Sequence, residues 1–145
     1  MDNMFNGCKS LDELDLSNFD TSNVINMQGM FYKDNMLSTL DIRNFNTSKT
    51  KKMAYMFSDC FVLQTIDLSH FNTDNVIDMG WMFDGCNNLK MLNLSSFNMN
   101  KVTEQIGMLK GCTSLKTLPC RTQADADKMK NDKYTPTTIN FIVKQ

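Results

Sequence analysis

Hydrophobic residues recur along the chain in rows whose members lie 26 residues apart. The pair Met-Phe occurs four times in this phase without an insertion, at Met4-Phe5, Met30-Phe31, Met56-Phe57 and Met82-Phe83. Further rows of Leu or Ile, Phe, and Val or Met follow with the same spacing. A fixed period in the range of about 20 to 50 residues is typical of proteins that stack one structural unit on its copies.

Two shorter patterns lie within each copy. The segment LDELDLS (11–17) alternates apolar and polar residues, which predicts a short strand with one buried side. The segment TSNVINMQGMF (21–31) places apolar residues three and four apart, which predicts a short helix. Good helix N-cap residues occupy one row, two residues before Val24 and its counterparts, at Ser22, Ser48, Asp74 and Asn100.

A single copy therefore predicts a strand, a turn, a short helix and a loop. Stacking about four and a half such turns predicts an α/β solenoid with a parallel sheet on one face and short helices on the other. The repeats are expected over 1–118. The remaining segment, 119–145, is expected to cap the last repeat through a helix near 124–133 and a strand near 138–144.

The first residues fall in the middle of a copy, because Met1 aligns with Met27. We therefore expect the chain to be a fragment of a longer protein or an array without an N-terminal cap. An uncapped repeat exposes core residues, so self-association through the N-terminal repeat is also predicted.

The repeat MFNGCKSLDELDLSNFDTSNVINM (4–27) and its copies closely resemble the BspA-like leucine-rich repeats of bacterial surface proteins. The resemblance covers residues 1 to about 118, and about ten positions recur in one register. It implies a leucine-rich-repeat solenoid on a cell-surface or secreted protein, and some members of that family bind host extracellular proteins. It implies no catalytic residue. The chain departs from the pattern at Asp34, Met99 and Gln105.

Composition and charge exclude several classes of function. The net charge of −1 and the pI near 5.7 argue against nucleic acid or an anionic membrane as partner. No apolar run is long enough to insert in a membrane, and the first residues do not form a signal peptide. The many Met and Phe residues fall mostly in the repeat rows, where they are expected to fill the core.

Five cysteines are present, and four of them share one row: Cys8, Cys60, Cys86 and Cys112. No CxxC pair is present, so we predict small buried thiols and no bound metal or cofactor. Cys60, Cys86 and Cys112 are expected on adjacent turns at a distance compatible with a disulfide, so their redox state stays open. The single histidine, His70, occupies a turn position without catalytic or metal-binding partners, and we expect a protein that is not an enzyme.

An acidic row is the candidate binding site. Asp15, Asp41 and Asp67 lie between inward residues of successive strands, Asn93 continues the row, and Arg43 lies in the next one. Such side chains point outward and are expected to repel one another unless Arg43 and nearby hydroxyl groups compensate. They form a docking strip, or they satisfy N–H groups of their own loops.

Two functions of different class are compatible with this pattern. The first is an adhesin-like module that binds a protein ligand, such as a host extracellular matrix protein, through its outward face. Varied outward residues over a regular core favour this hypothesis. The second is a passive spacer or stalk that displays another domain and needs no ligand.

Overall fold

The computed structural model describes residues 1–8 and 14–143. Its elements are β1 (Thr65–Ile66), β2 (Met91–Leu92), β3 (Thr117–Cys120), the helix α1 (Gln123–Lys130) and β4 (Asn140–Val143). β1 pairs in parallel with β2, and β3 pairs in parallel with β4. Isolated parallel bridges join residues of successive copies at Asn26, Lys52, Asp78 and Glu104, and another joins Leu94 to Cys120.

The predicted leucine-rich-repeat solenoid, with a parallel sheet on one face and short helices on the other, is wrong. Within the described residues, the strands form only two separate two-stranded pairs. The only helix there is α1, which has eight residues and follows the repeat rows. The residues of the strand predicted at 11–17 lie partly outside the described part of the chain, and 14–17 form no strand.

The predicted helices fail because their backbone N–H groups bond to a neighbouring copy. The N–H groups of Met27, Gly29 and Phe31 donate to carbonyl groups of Lys52, Ala54 and Met56 at 2.8–2.9 Å. These bonds replace the bonds to the fourth preceding residue that a helix requires. A left-handed residue also interrupts each segment, since φ lies between 58° and 66° at Gly29, Tyr55, Trp81 and Gly107.

The predicted strands are absent or short because backbone N–H groups in these segments donate to side-chain oxygens. Asp41 accepts from the N–H of Arg43, Asp67 from that of Ser69, and Asn93 from that of Ser95. Each bond closes a local turn two residues after the acceptor. An N–H group that is used in this way cannot join a strand ladder, which ends β1 and β2 after two residues each.

Successive copies are nevertheless joined in a constant register. The N–H groups of Phe31, Phe57 and Phe83 each donate to a carbonyl 25 residues later, at 2.9 Å. The rings of Phe5, Phe31, Phe57 and Phe83 stack with centroids 5.5–5.7 Å apart and planes within 11° of parallel. The core is therefore built from rows of like side chains, and burial of each Phe contributes about 1.5–3 kcal/mol.

A ladder of Thr and Asn residues joins successive copies. The Thr47 hydroxyl donates to the Asn72 carbonyl at 2.9 Å and accepts from the Asn72 N–H at 2.9 Å. Thr21 and Asn46 make the same reciprocal pair, as do Thr73 and Asn98. The Thr side chains are buried, so each pair satisfies polar groups in the interior. The predicted N-cap residues instead donate their N–H groups to the preceding Asp or Asn.

The helix and strand predicted after the repeats are confirmed as α1 and β4. Side chains of this segment bond to backbone groups of the last copies. Asp125 accepts from the N–H of Met99 at 2.9 Å, Asp132 accepts from the N–H of Gly107, and Lys128 donates to the carbonyls of Met99 and Val102. In earlier copies the corresponding N–H groups of Gly29, Tyr55 and Trp81 donate to the next copy, so Asp132 takes the place of a further copy for Gly107. The division into segments 1–118 and 119–145 stays a prediction.

The carboxylate of Asp125 accepts hydrogen bonds from Met99, Arg121 and Thr122, so substitution of this residue tests how much the capping contacts contribute to stability. Burial alone would raise the pKa of Asp125, but hydrogen bonds from Thr122, the Met99 N–H and Arg121 outweigh it and hold the pKa below 3.8. The carboxylate therefore stabilises the fold above pH 3.8, and this contribution is lost as the pH falls through the lowered pKa.

We expect Asp125→Asn to lower the free energy of unfolding by about 1.5–3 kcal/mol at pH 7, because it weakens charge-assisted bonds. Urea denaturation at pH 7 and pH 3 measures this effect, and the loss should shrink at pH 3. Asp127→Asn, on the exposed side of the same helix, is the matched control and should change stability by less than about 0.5 kcal/mol. An equal loss for both variants would contradict the assigned role of Asp125.

Candidate binding groove

An open groove of about 660 Å³ runs across the face that carries β1, β2 and the start of β3. Four of the predicted site residues line it: Asp41, Arg43, Asp67 and Asn93. The fifth, Asp15, lines an adjacent cavity of about 410 Å³ that also includes Asp41 and Arg43. The structure therefore places the five side chains along one continuous face. Their role in binding stays a prediction.

The acidic side chains are held in place by their own turns. Asp15 and Asp67 each accept from a Ser N–H two residues later at 2.9 Å, and Asn93 does the same with Ser95. The hydroxyl and N–H groups of Ser17 lower the pKa of Asp15, and those of Ser69 lower the pKa of Asp67. Both carboxylates are thus charged at neutral pH and have fixed orientations.

Asp41 differs from the other members of its row because Arg43 binds it with two nitrogen atoms. Nε of Arg43 lies 2.9 Å from one carboxylate oxygen, and Nη2 lies 2.7 Å from the other. This contact holds the pKa of Asp41 at about 2. Both side chains are largely exposed, at 76% and 62%, so the pair adds little to stability and serves mainly to neutralise this end of the groove.

Hydrophobic residues that were not predicted as site residues also line the groove. Met91 is 64% exposed, which is the largest exposure among the large apolar side chains of the described residues. Leu40, which is half-buried, and Pro119 also line the groove, and Lys90 lies at its edge. Met91 belongs to an outward row whose other members are Glu13, Thr39, Thr65 and Thr117, so a Met in this polar row was the available sequence signal.

Comparison with known proteins identifies the family. The family model described as "Mycoplasma protein of unknown function, DUF285" matches residues 1–122. The chain belongs to this family. The match supports a relationship to bacterial surface repeat proteins, which is a coarser assignment than BspA-like leucine-rich repeats. No significant match is found among curated proteins or among solved structures.

The remaining candidate residues of this family member have structural partners. His70 lies with Nε2 2.9 Å from the Ile42 carbonyl and packs edge-on against Phe71. Asn44 and Ser96, in the same row, also donate to carbonyls of the preceding copy. Within residues 1–8 and 14–143, no group of three or more His, Cys, Asp or Glu residues is arranged to hold a metal ion. No helix of these segments is long and apolar enough to cross a membrane.

The five cysteines are free thiols, and four of them are buried. The sulfur atoms of Cys60, Cys86 and Cys112 each donate to the carbonyl of a Phe 29 residues earlier, at 3.0–3.3 Å. Burial raises the pKa of Cys60 and Cys112 to about 12 and that of Cys86 well above its ordinary value. These thiols are consequently protonated and unreactive, as expected for residues that fill space in the core.

Asp34 occupies the same row and is a buried carboxyl group where the other copies have Cys. The residue is 0% exposed, and neither carboxylate oxygen has a hydrogen-bond partner of normal geometry within the described parts of the chain. Burial raises the pKa of Asp34, and the nearby N–H groups of Met36 and Leu37 oppose this only in part. A carboxylate in this position destabilises the fold.

We expect Asp34→Cys, in reducing buffer, to raise the free energy of unfolding by about 1–3 kcal/mol at pH 7. Because the pKa of Asp34 is raised in the folded state, the penalty appears as the pH rises above 3.8. The gain should therefore be smaller at pH 3.5 than at pH 7, as measured by urea denaturation. Asp34→Asn, which removes the charge but keeps the shape, is the matched control. A gain of equal size at both pH values would contradict a buried charge as its cause.

Proposed function

We propose that this chain is a non-enzymatic interaction module of a bacterial cell-surface or secreted protein, and that it binds a protein ligand in the groove around Met91. Resemblance of its repeat to BspA-like surface proteins supports this proposal, as does membership of the DUF285 family. Its main structural support is the exposed apolar side chain of Met91, which lines an open groove together with the charged residues Asp67 and Lys90.

The chemistry of the groove suits a protein surface. Met91 offers a flexible apolar side chain, which adapts to partners of varied shape. Asp67 presents a negative charge on one copy, and Lys90 presents a positive charge on the next. Apolar contact in the centre and charged groups at the rim are the usual arrangement of a protein interface. The preferred ligand is an extended segment of a host extracellular matrix protein with an apolar residue between opposite charges.

A passive spacer is the second candidate function. The backbone bonds and Phe stacking between successive copies support this candidate, because they hold the copies together without any ligand. Self-association through the N-terminal repeat also stays a prediction. Phe5 and Phe19 are only partly buried there, whereas their counterparts in later copies are buried.

Binding of the purified chain to immobilised fibronectin and fibrinogen, at physiological salt, tests the proposal. We expect saturable binding to at least one of them. The double variant Asp67→Asn, Met91→Ser should weaken binding at least tenfold, because it removes both the apolar contact and a rim charge. Circular dichroism checks that the variant remains folded. Asp74→Asn, at an exposed position outside the groove lining, is the matched control and should bind as the unmodified chain does.

Three other outcomes of the binding experiment would contradict the proposal or part of it. Undiminished binding by the folded double variant would place the protein ligand elsewhere and contradict the groove assignment. Equal weakening by the control would show a general charge effect instead of a site. Absence of binding to both proteins would favour the spacer over the proposed host-matrix ligand.

A further inference from the structure

A second cleft, with different chemistry, lies among the first copies. It has a volume of about 380 Å³ and is lined by Asn3, Asn6, Gln28, Gly29, Tyr32 and Tyr55. This set consists of three side-chain amides, two phenol rings and one glycine. It contains none of the residues that line the groove around Met91. The volume is within the range of small-molecule sites, which begins at about 300 Å³.

Two aromatic rings line this cleft, and that of Tyr55 is exposed to solvent. The rings of Tyr32 and Tyr55 meet edge to face at 61° with centroids 6.2 Å apart, so they form a corner. Nζ of Lys33 lies 4.8 Å from the centre of the Tyr32 ring and occupies one of its faces. Tyr55 is 38% exposed, which makes it the available aromatic platform.

Tyr55 holds a backbone conformation that favours glycine. The residue has φ of 58°, in the left-handed region, and its row contains Asn3, Gly29 and Gly107, which adopt that region more easily, together with Trp81, which has the same φ of 58°. A Tyr at such a position costs about 1–2 kcal/mol relative to Gly. The fold would be more stable with Gly at residue 55, so the aromatic ring is retained at a cost to stability.

The amides form the floor and the second wall. A Cβ atom on Gly29 would come within 2.3 Å of the Asn3 side-chain oxygen, so the glycine leaves the space in which Asn3 lies. Asn6 donates to Asn3 at 3.0 Å, which fixes both groups. The Gln28 side-chain amide makes no hydrogen bond to the described residues, and its two donor hydrogens and carbonyl oxygen remain available.

This chemistry selects one ligand class. No Asp, Glu, Lys or Arg lines the cleft itself, and the ammonium of Lys33 packs against the Tyr32 ring, so the lining favours a neutral ligand over a phosphate, a nucleotide or another ion. A pyranose has an apolar C–H face that stacks on an aromatic ring and hydroxyl groups that both donate and accept, as amides do. We propose that this cleft binds a neutral carbohydrate, with a sugar ring stacked on Tyr55 and its hydroxyl groups bonded to Gln28 and Asn6.

A glycoconjugate array tests this proposal. The array carries neutral oligosaccharides that end in galactose, glucose, mannose or N-acetylglucosamine, and the biotinylated chain is displayed on streptavidin so that avidity reveals weak binding. We expect saturable retention on at least one of these sugar classes and competition by the same sugar in free form. Tyr55→Gly should reduce retention at least tenfold, and Gln28→Ala should also reduce it.

Stability separates a binding role of Tyr55 from a structural one. We expect Tyr55→Gly to raise the thermal midpoint or leave it unchanged, because Gly relieves the left-handed conformation. Ile77→Thr, at an exposed position whose row has Thr103 in the next copy, is the matched control and should retain sugar binding. Retention on none of the sugars, or full retention by Tyr55→Gly, would overturn the proposal. A large loss of stability in Tyr55→Gly would assign the ring to the core and overturn it as well.

Discussion

The backbone hydrogen bonds between successive copies are the interaction on which the rest of this structure depends. They join Phe31 to Met56, Phe57 to Met82 and Phe83 to Met108 in one constant register. That register brings like side chains into rows, so the Phe rings stack and the Thr hydroxyl groups bridge neighbouring copies. It also leaves the Gly107 N–H without a further copy as partner, and Asp132 bonds to it, while Asp125 and Lys128 bond to other backbone groups nearby.

Sequence periodicity predicted the rows correctly but not the backbone between them. The period of 26 residues follows directly from Met, Phe and Leu positions, and these positions supply much of the buried core. The spacing of Val24, Met27 and Phe31 suits a helix face, but it equally suits a chain that turns and bonds to its neighbour. Only the choice of hydrogen-bond partner distinguishes the two, and hydrophobic spacing carries no information about that choice. The Asp-x-Ser turns were a visible signal that the strands would be short.

The groove also has some features that could be predicted from the sequence and others that could not. The outward direction of Asp41, Asp67 and Asn93 could be predicted from the alternation of apolar and polar residues. The role of Met91 as an exposed lining residue became visible only when the structure showed which residues surround it. The Arg43–Asp41 pair was anticipated from adjacent rows, and it neutralises one end of the groove. Because the copies differ mainly in such outward residues, family membership alone leaves the ligand open.

Hydrogen-bond scalar couplings measured by nuclear magnetic resonance test the register between copies most directly. We expect a coupling from the amide nitrogen of Phe57 to the carbonyl carbon of Met82, and equivalent couplings from Phe31 to Met56 and from Phe83 to Met108. Couplings from Phe57 to the carbonyl of Met53, four residues earlier, would show a helix within the copy and contradict the account.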